Sequence, residues 1–178
     1  MSQVVIAGDT SGTITLQAPA VSGSNTLNLP AATGTVMVSG NMPAFSAYQN
    51  SGTTLGTLTY TKIAFQAKEF DTANAFDNTT NYRFQPLVAG YYQVNAGAQI
   101  SSGTAYEALL AIYKNGTNYK YGTDIISSTV YGITISGLVY LNGSTDYIEI
   151  YAYNGPISRS TSPSSVGTYF QAAMIRSS

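Results

Sequence analysis

Along most of this chain apolar and polar positions alternate one by one. The clearest run is 82–100, YRFQPLVAGYYQVNAGAQI, which opens as an alternating strand at Tyr82 and Phe84 and is stopped by Pro86. After a turn at Ala89 and Gly90, the residues Tyr92, Val94, Ala96, Ala98 and Ile100 share one face at period two, the pattern of a strand with one buried side. Two strands joined through Pro and Gly form the skeleton of an antiparallel sheet. The second face carries Asn95, Gly97 and two glutamines, which points to a close or wet neighbour.

The same alternation predicts the remaining strands. Ala44–Tyr48 is short. A single strand over 60–70 places Ile63, Phe65 and Ala67 on one side; a turn-rich connection from Asp71 to Thr80 follows, anchored by Phe76. Ala108–Lys114 turns Leu110 and Ile112 inward, although Leu109 and Tyr113 show that its other side is not plainly solvent. Asn115-Gly116 is a hairpin signal, because both residues tolerate positive backbone angles, and Tyr119 and Tyr121 continue from it. Ile133, Ile135, Gly137, Val139 and Leu141 make a long strand closed by Asn142-Gly143. Tyr147–Tyr153 returns with Ile148, Ile150 and Ala152 inward; residues 154–168 read as a loop, and 168–176 closes the domain with Phe170, Ala172 and Met174. Many short strands and no helical pattern specify a β-sandwich or jelly roll.

Residues 1–43 stand apart from residues 44–178, with Asn41-Met42-Pro43 as the hinge. The first region has one ionisable side chain, Asp9, and three short alternating pieces at Thr13–Leu16, Thr26–Leu29 and Thr35–Val38. Those rows are too thin to bury one another. The region is either an unstructured leader or, the favoured reading, a stem whose strands pack against the same strands of partner chains.

Charge narrows the function classes. Only 8% of the 178 residues are charged, against about 25% in typical domains, and the net charge is -1, so association between identical chains meets little repulsion. The seven Lys and Arg are scattered from Lys62 to Arg176, which gives nucleic acid no cationic patch. No stretch approaches the roughly 20 apolar residues of a membrane helix, and MSQVVIAGD lacks the pattern of a secretory signal. His and Cys are absent, which removes Ser-His-Asp and Cys-His catalysis, disulfides and soft-metal sites. The acidic pairs Glu69 with Asp71 and Asp146 with Glu149 read as solvated strand ends rather than as glycosidase carboxylates. No cofactor is expected; oxygen atoms of Glu69, Asp71, Asn74, Asp77 and Asn78 are a weak calcium candidate. Of the Asn-x-Ser/Thr matches at Asn78, Asn115 and Asn142, the last two are Asn-Gly turns, and nothing in the sequence indicates passage through a glycosylating compartment.

The 44–178 region resembles the C1q-like domain, a ten-stranded jelly roll related to tumour necrosis factor. The likeness rests on Ala44-Phe45-Ser46-Ala47, on Ile63-Ala64-Phe65, and most clearly on Tyr82-Arg83-Phe84-Gln85-Pro86 followed by Gly90-Tyr91-Tyr92-Gln93-Val94. It resumes at Leu110–Gly116, Gly137–Gly143 with Asp146, and Tyr169–Ala172. The resemblance implies an all-β sandwich that assembles as a homotrimer. The chain departs from the family in lacking its common Cys and a collagen-like stalk. The stretches Ser11–Pro19 and Leu27–Thr35 are similar to short repeats of tailed-bacteriophage fibre proteins. Together the resemblances imply a virion protein, a tail or capsid fibre held to other virion proteins through residues 1–43, with a trimeric knob for host attachment through bacterial surface polysaccharide. The alternatives are a structural or decoration protein without host binding, and a cellular C1q-like binding protein.

Tyrosine supplies the candidate sites: the chain has 15 Tyr and no Trp. Tyr147, Tyr151 and Tyr153, facing outward, and Tyr91 are the expected trimer interface, since a Tyr buries its ring while its hydroxyl finds a partner. Tyr119, Tyr121, Tyr131, Asn154 and Arg159, placed in or near loops, are the expected ligand-binding set. No catalytic residue is expected.

Overall fold

The computed structural model describes residues 3–21, 23–28, 31, 33–100, 106–127 and 131–178, except for the side chains of Gln3, Tyr106, Ile126, Ser127 and Tyr131. The chain divides into two compact units, Met1–Gly34 and Thr35–Ser178.

The first unit is a hairpin of β1 (Gln3–Ala7) and β2 (Thr13–Gln17). Val4 lies opposite Leu16 and Ile6 opposite Ile14, so the four side chains share one face, and each remains more than half exposed. Only the second of these strands was legible, because Val4-Val5-Ile6 is a continuous apolar run without alternation. The strand expected at Thr26–Leu29 does not form over residues 26–28, and Leu29, Pro30 and Ala32 lie outside the described residues. Thr35–Val38 belongs to the second unit and is not a strand. The expected hinge is instead preceded by a 3-10 turn at Ser39–Asn41, where Asn41 Oδ1 accepts the Val38 N–H at 2.7 Å.

In the second unit the strands are β3 (Ala44–Gln49), β4 (Thr54–Leu55), β5 (Thr59–Lys62), β6 (Ala67–Asp71), β7 (Phe76–Asp77), β8 (Arg83–Phe84) and β9 (Ala89–Ile100). They continue with β10 (Tyr106–Lys114), β11 (Thr117–Tyr121), β12 (Ile125–Ser127), β13 (Tyr131–Asn142), β14 (Ile148–Asn154), β15 (Arg159–Ser160) and β16 (Ser164–Ser177). One sheet has five strands in the order β13-β9-β16-β3-β6. The other has the path β11-β10-β14-β8-β7, with β12 added on β10 and β5 on β14; β4 and β15 form a separate ribbon. The result is an all-β jelly-roll sandwich, more finely divided than the expected ten strands.

The core sits between the sheets. Tyr92, Val94, Ala96, Ala98 and Ile100 of β9 are buried as their alternation predicts, and they face Leu110, Ile112, Ile148 and Ile150 of the opposite sheet within one apolar cluster. Phe45 is central: it stacks on Phe76 at 4.7 Å and Phe84 at 4.5 Å and meets Phe170 edge-on at 4.9 Å.

Three expectations are corrected by this arrangement. The strand over 60–70 is two strands in different sheets, because the fully buried Ile63 and Phe65 carry the chain through the core from β5 to β6. Likewise β8 and β9 are not a hydrogen-bonded pair: Pro86 lies where the chain passes from one sheet to the other, and Ala89 and Gly90 are already in β9. The loop expected at 154–168 contains β15 and the start of β16.

Asn115 and Gly116 do form the tight β10–β11 turn, with φ of 54° and 76°. That turn is tied to the β13–β14 connection through Asp146. Its carboxylate accepts from Lys114 Nζ at 2.9 Å, Asn115 Nδ2 at 2.7 Å and the Asn142 N–H at 3.1 Å, while Asn115 Oδ1 accepts the Tyr147 N–H at 2.9 Å. The Lys114 hydrogen bond leads the effects that hold the Asp146 carboxyl below its ordinary pKa. Such a depressed pKa stabilises the fold above the unfolded value of about 3.9, and the stabilisation disappears as pH falls through the folded value. Asp146→Ala should therefore cost about 2–4 kcal/mol near neutral pH and flatten the acid limb of a denaturant-melting series; a variant whose acid limb matches the parent would disprove the assignment.

Candidate functional site

The sandwich presents two outer faces, and the expected tyrosines divide between them. Tyr147, Tyr151 and Tyr153 stand on or beside β14 in the seven-stranded sheet, whereas Tyr91 is on β9 in the five-stranded sheet. The structure does not bring the four together.

On the seven-stranded sheet, register assembles a tyrosine cluster. Tyr153 lies opposite both Leu109 and Tyr60, Tyr151 opposite Lys62, and Tyr113 opposite Glu149. Tyr113 and Tyr151 stack at 3.9 Å, and Tyr60 tilts against Tyr153 at 5.3 Å and Tyr121 at 6.1 Å. Glu149, expected at a solvated strand end, is only 4% exposed and accepts from Lys62 Nζ at 2.9 Å. Arg83 lies 4.3 Å from the centre of the Tyr147 ring. The cations and the buried anion are thus engaged within the face, leaving it aromatic and nearly neutral. Burial, followed by the Tyr121 hydrogen bond, pushes Tyr60 up to about 12; burial followed by the Glu149 charge does the same for Tyr151.

The other expected ligand residues separate by exposure. Tyr119 and Tyr121 lie on the edge strand β11 rather than in a loop, and both are exposed. Asn154 and Arg159 are corrections, since they end β14 and begin β15 and are buried. Asn154 Nδ2 donates to the Ile157 carbonyl at 2.6 Å, which holds the turn between the strands. The side chain of Tyr131 lies outside the described residues.

The calcium candidates have other partners. Asp77 accepts the N–H groups of Thr79, Thr80 and Asn81, and these bonds hold its carboxyl well below the ordinary range. Asp71 accepts from the Ala75 and Phe76 N–H groups and from Lys68. Carboxylates filled by N–H donors close a turn and do not make an oxygen cage. Among the described residues no group of three or more His, Cys, Asp or Glu could hold a metal ion.

The outer face of the five-stranded sheet changes character along its length. At one end Tyr91 and Tyr140 are directly opposed with ring centres 5.4 Å apart, beside Leu138 and Ile175, all four exposed by more than a third. Toward the middle it becomes a ladder of amides and hydroxyls: Gln93 Nε2 donates to Ser136 Oγ at 2.9 Å, and Ser136 Oγ donates to Asn95 Oδ1 at 2.9 Å. Sequence reasoning recognised Asn95 and Gly97 as a wet or close face. It missed Gln171, Ser136 and Thr134, because the residues that complete the ladder come from strands far apart in the chain.

No protein-family model matches the chain, and no curated protein matches it in sequence. Solved structures do match its shape. A crystal structure of murine APRIL at pH 5.0 superposes with a TM-score of 0.58 at 12% identity, covering 75% of this chain and 99% of that one. Eiger TNF from S. frugiperda superposes with a TM-score of 0.58 at 9% identity, covering 78% of this chain and 95% of that one. The fold is a C1q/TNF-type jelly roll.

This C1q/TNF-type fold overturns the phage terms of the sequence reading. The structures named above are an APRIL and a TNF, and the phage, virion and capsid terms are withdrawn. The sequence contains no His or Cys, so neither a Ser-His-Asp nor a Cys-His arrangement can form in it. No helix among the described residues is long and apolar enough to cross a membrane.

The tyrosine cluster makes a titration prediction. Raised pKa values keep Tyr60 and Tyr151 neutral beyond the free-tyrosine value of about 10, so their stabilising effect is present below that pH and is lost as pH rises through about 12. An absorbance titration should show a late-ionising class that shrinks in Tyr60→Phe and Tyr151→Phe; unchanged late absorbance in both variants would contradict it.

Proposed function

We propose that the chain is a C1q-like binding protein that acts as a homotrimer through its jelly-roll unit, without catalysis. The observation that carries this reading is the exposed apolar end of the five-stranded sheet, formed by Tyr91, Leu138, Tyr140 and Ile175, on a fold shared with APRIL and TNF structures. Contiguous exposed apolar side chains on a soluble sandwich mark an association surface, and a chain with 8% charged residues opposes self-association weakly. Tyr91 is the member of the expected interface set placed at this surface; Tyr147, Tyr151 and Tyr153 are assigned to the cluster on the other face. The four-residue apolar row of the β1–β2 hairpin adds a second self-association surface. An extracellular setting goes with this reading, and three copies of a weak site would raise avidity without strong single contacts.

The test is the mass of the full chain by light scattering over about 1–100 µM. The expected value is three times the 18.7 kDa chain, and Tyr91→Glu or Leu138→Glu should reduce it to one chain while Tyr151→Phe leaves it unchanged. A monomer throughout that range would overturn the reading.

A further inference from the structure

The polar half of the five-stranded sheet holds a cleft. It has a volume of about 710 Å³ and lies between the outer face of β9, β13 and β16 and the segment that follows β11. Its lining includes Tyr121, Tyr169, Asn95, Gln171, Thr134 and Ser136, and no charged side chain lines it among the described residues. The volume falls within the range of about 300–1,000 Å³ typical of ligand sites. The lining is nevertheless unlike most such sites: amides and hydroxyls dominate it, and its aromatic groups are tyrosines.

Two close approaches build the cleft. A Cβ on Gly122 would come within 2.7 Å of the Thr134 carbonyl oxygen, so only glycine lets the chain leaving β11 lie against β13. A Cβ on Gly97 would come within 2.7 Å of the Tyr169 ring, so the missing side chain there lets that ring lie over the sheet. The polar groups are also held in place. Asn95 Oδ1 accepts from Ser136 Oγ at 2.9 Å, and Gln171 Nε2 donates to Ser46 Oγ at 3.1 Å, which in turn donates to Glu69 at 2.7 Å. Asn95 Oδ1 also accepts from Gln93 Nε2 at 3.4 Å, so each amide is held through one of its two ends, while Asn95 Nδ2 and Gln171 Oε1 have no hydrogen-bond partner among the described residues. One spare donor and one spare acceptor remain in a cleft that also carries the Thr134 hydroxyl and two tyrosine side chains.

We propose that this cleft binds a neutral saccharide. An anion would find no cation in the lining, and a cation no carboxylate. An apolar ligand would strand the amides and hydroxyls, at about 1–3 kcal/mol for each buried unsatisfied group. A pyranose offers the matching chemistry, with hydroxyls that both donate and accept and C–H faces that pack on the negative faces of Tyr rings. The cleft is complete within one chain, but it shares the outer face of β9 and β13 with the proposed association surface, so the test must separate a ligand site from a subunit seam.

Isothermal titration of the full chain with cellohexaose, maltohexaose, tri-N-acetylchitotriose and oligogalacturonate, each to about 5 mM, tests it. At least one neutral oligosaccharide should bind saturably, and Thr134→Val and Gln171→Ala should each weaken it by about 10-fold, with melting curves unchanged. Thr134→Arg, which fills the cleft from an exposed position, should abolish binding at unchanged mass. Binding of oligogalacturonate alone, no binding by any probe, or neutral binding that survives all three substitutions would overturn the proposal. A fall in mass on Thr134→Arg would overturn it as well, since it would show the cleft to be a seam between subunits.

Discussion

The fold depends on a bridge of phenylalanines between two sheets whose strands do not pair with one another. Phe45 and Phe170 come from the five-stranded sheet, Phe76 and Phe84 from the seven-stranded one, and Phe45 touches the other three with ring centres under 5 Å apart. Tyr92 extends the contact by meeting Phe84 edge-on at 5.5 Å. Burying one such ring contributes about 2–3 kcal/mol, and paired rings add about 0.5–1.5 kcal/mol each. β7 and β8 are only two residues long, too short to hold position by ladder bonds alone. Their place in the sheet follows from Phe76 and Phe84 being held in this cluster.

Packing also explains which parts of the fold were legible. β9 and β13 could be read because each is buried on one side over many residues, so the period-two signal is long. The 60–70 segment carried the same alternation and misled, since periodicity reports which residues are buried without saying that the chain crosses between sheets where Ile63 and Phe65 are buried. The pair around Pro86 misled for a related reason: neighbours in sequence with matching patterns belong to opposite sheets. β1 was hidden by the reverse effect, a continuous apolar run that alternation cannot resolve.

The site was less legible than the fold. Tyr121 was found as a candidate from composition, and Asn95 from the small polar face of its strand. Their partners Thr134, Gln171 and Tyr169 become neighbours only through the β9–β13 and β9–β16 registers. Asn154 and Arg159 show the opposite failure. Polar residues in a Ser-, Gly- and Pro-rich stretch read as exposed, yet Asn154 is buried because its amide closes the turn that leads into β15.

Scarcity of charge links the two outer faces. With few ions available, the protein spends them inside its own surface: Lys62 on Glu149, Arg83 on the Tyr147 ring, and Lys114 on Asp146. What lines the cleft is mainly tyrosine, amide and hydroxyl, groups whose attractions act only at contact distance and are almost unaffected by salt. Recognition by such a surface is decided by shape and hydrogen-bond pairing rather than by long-range steering. That places the demand on rigidity, which the amide ladder supplies in the sheet beneath the cleft. A cleft oriented by fixed amides loses little freedom on binding, and the same economy would make each additional copy in an assembly worth more.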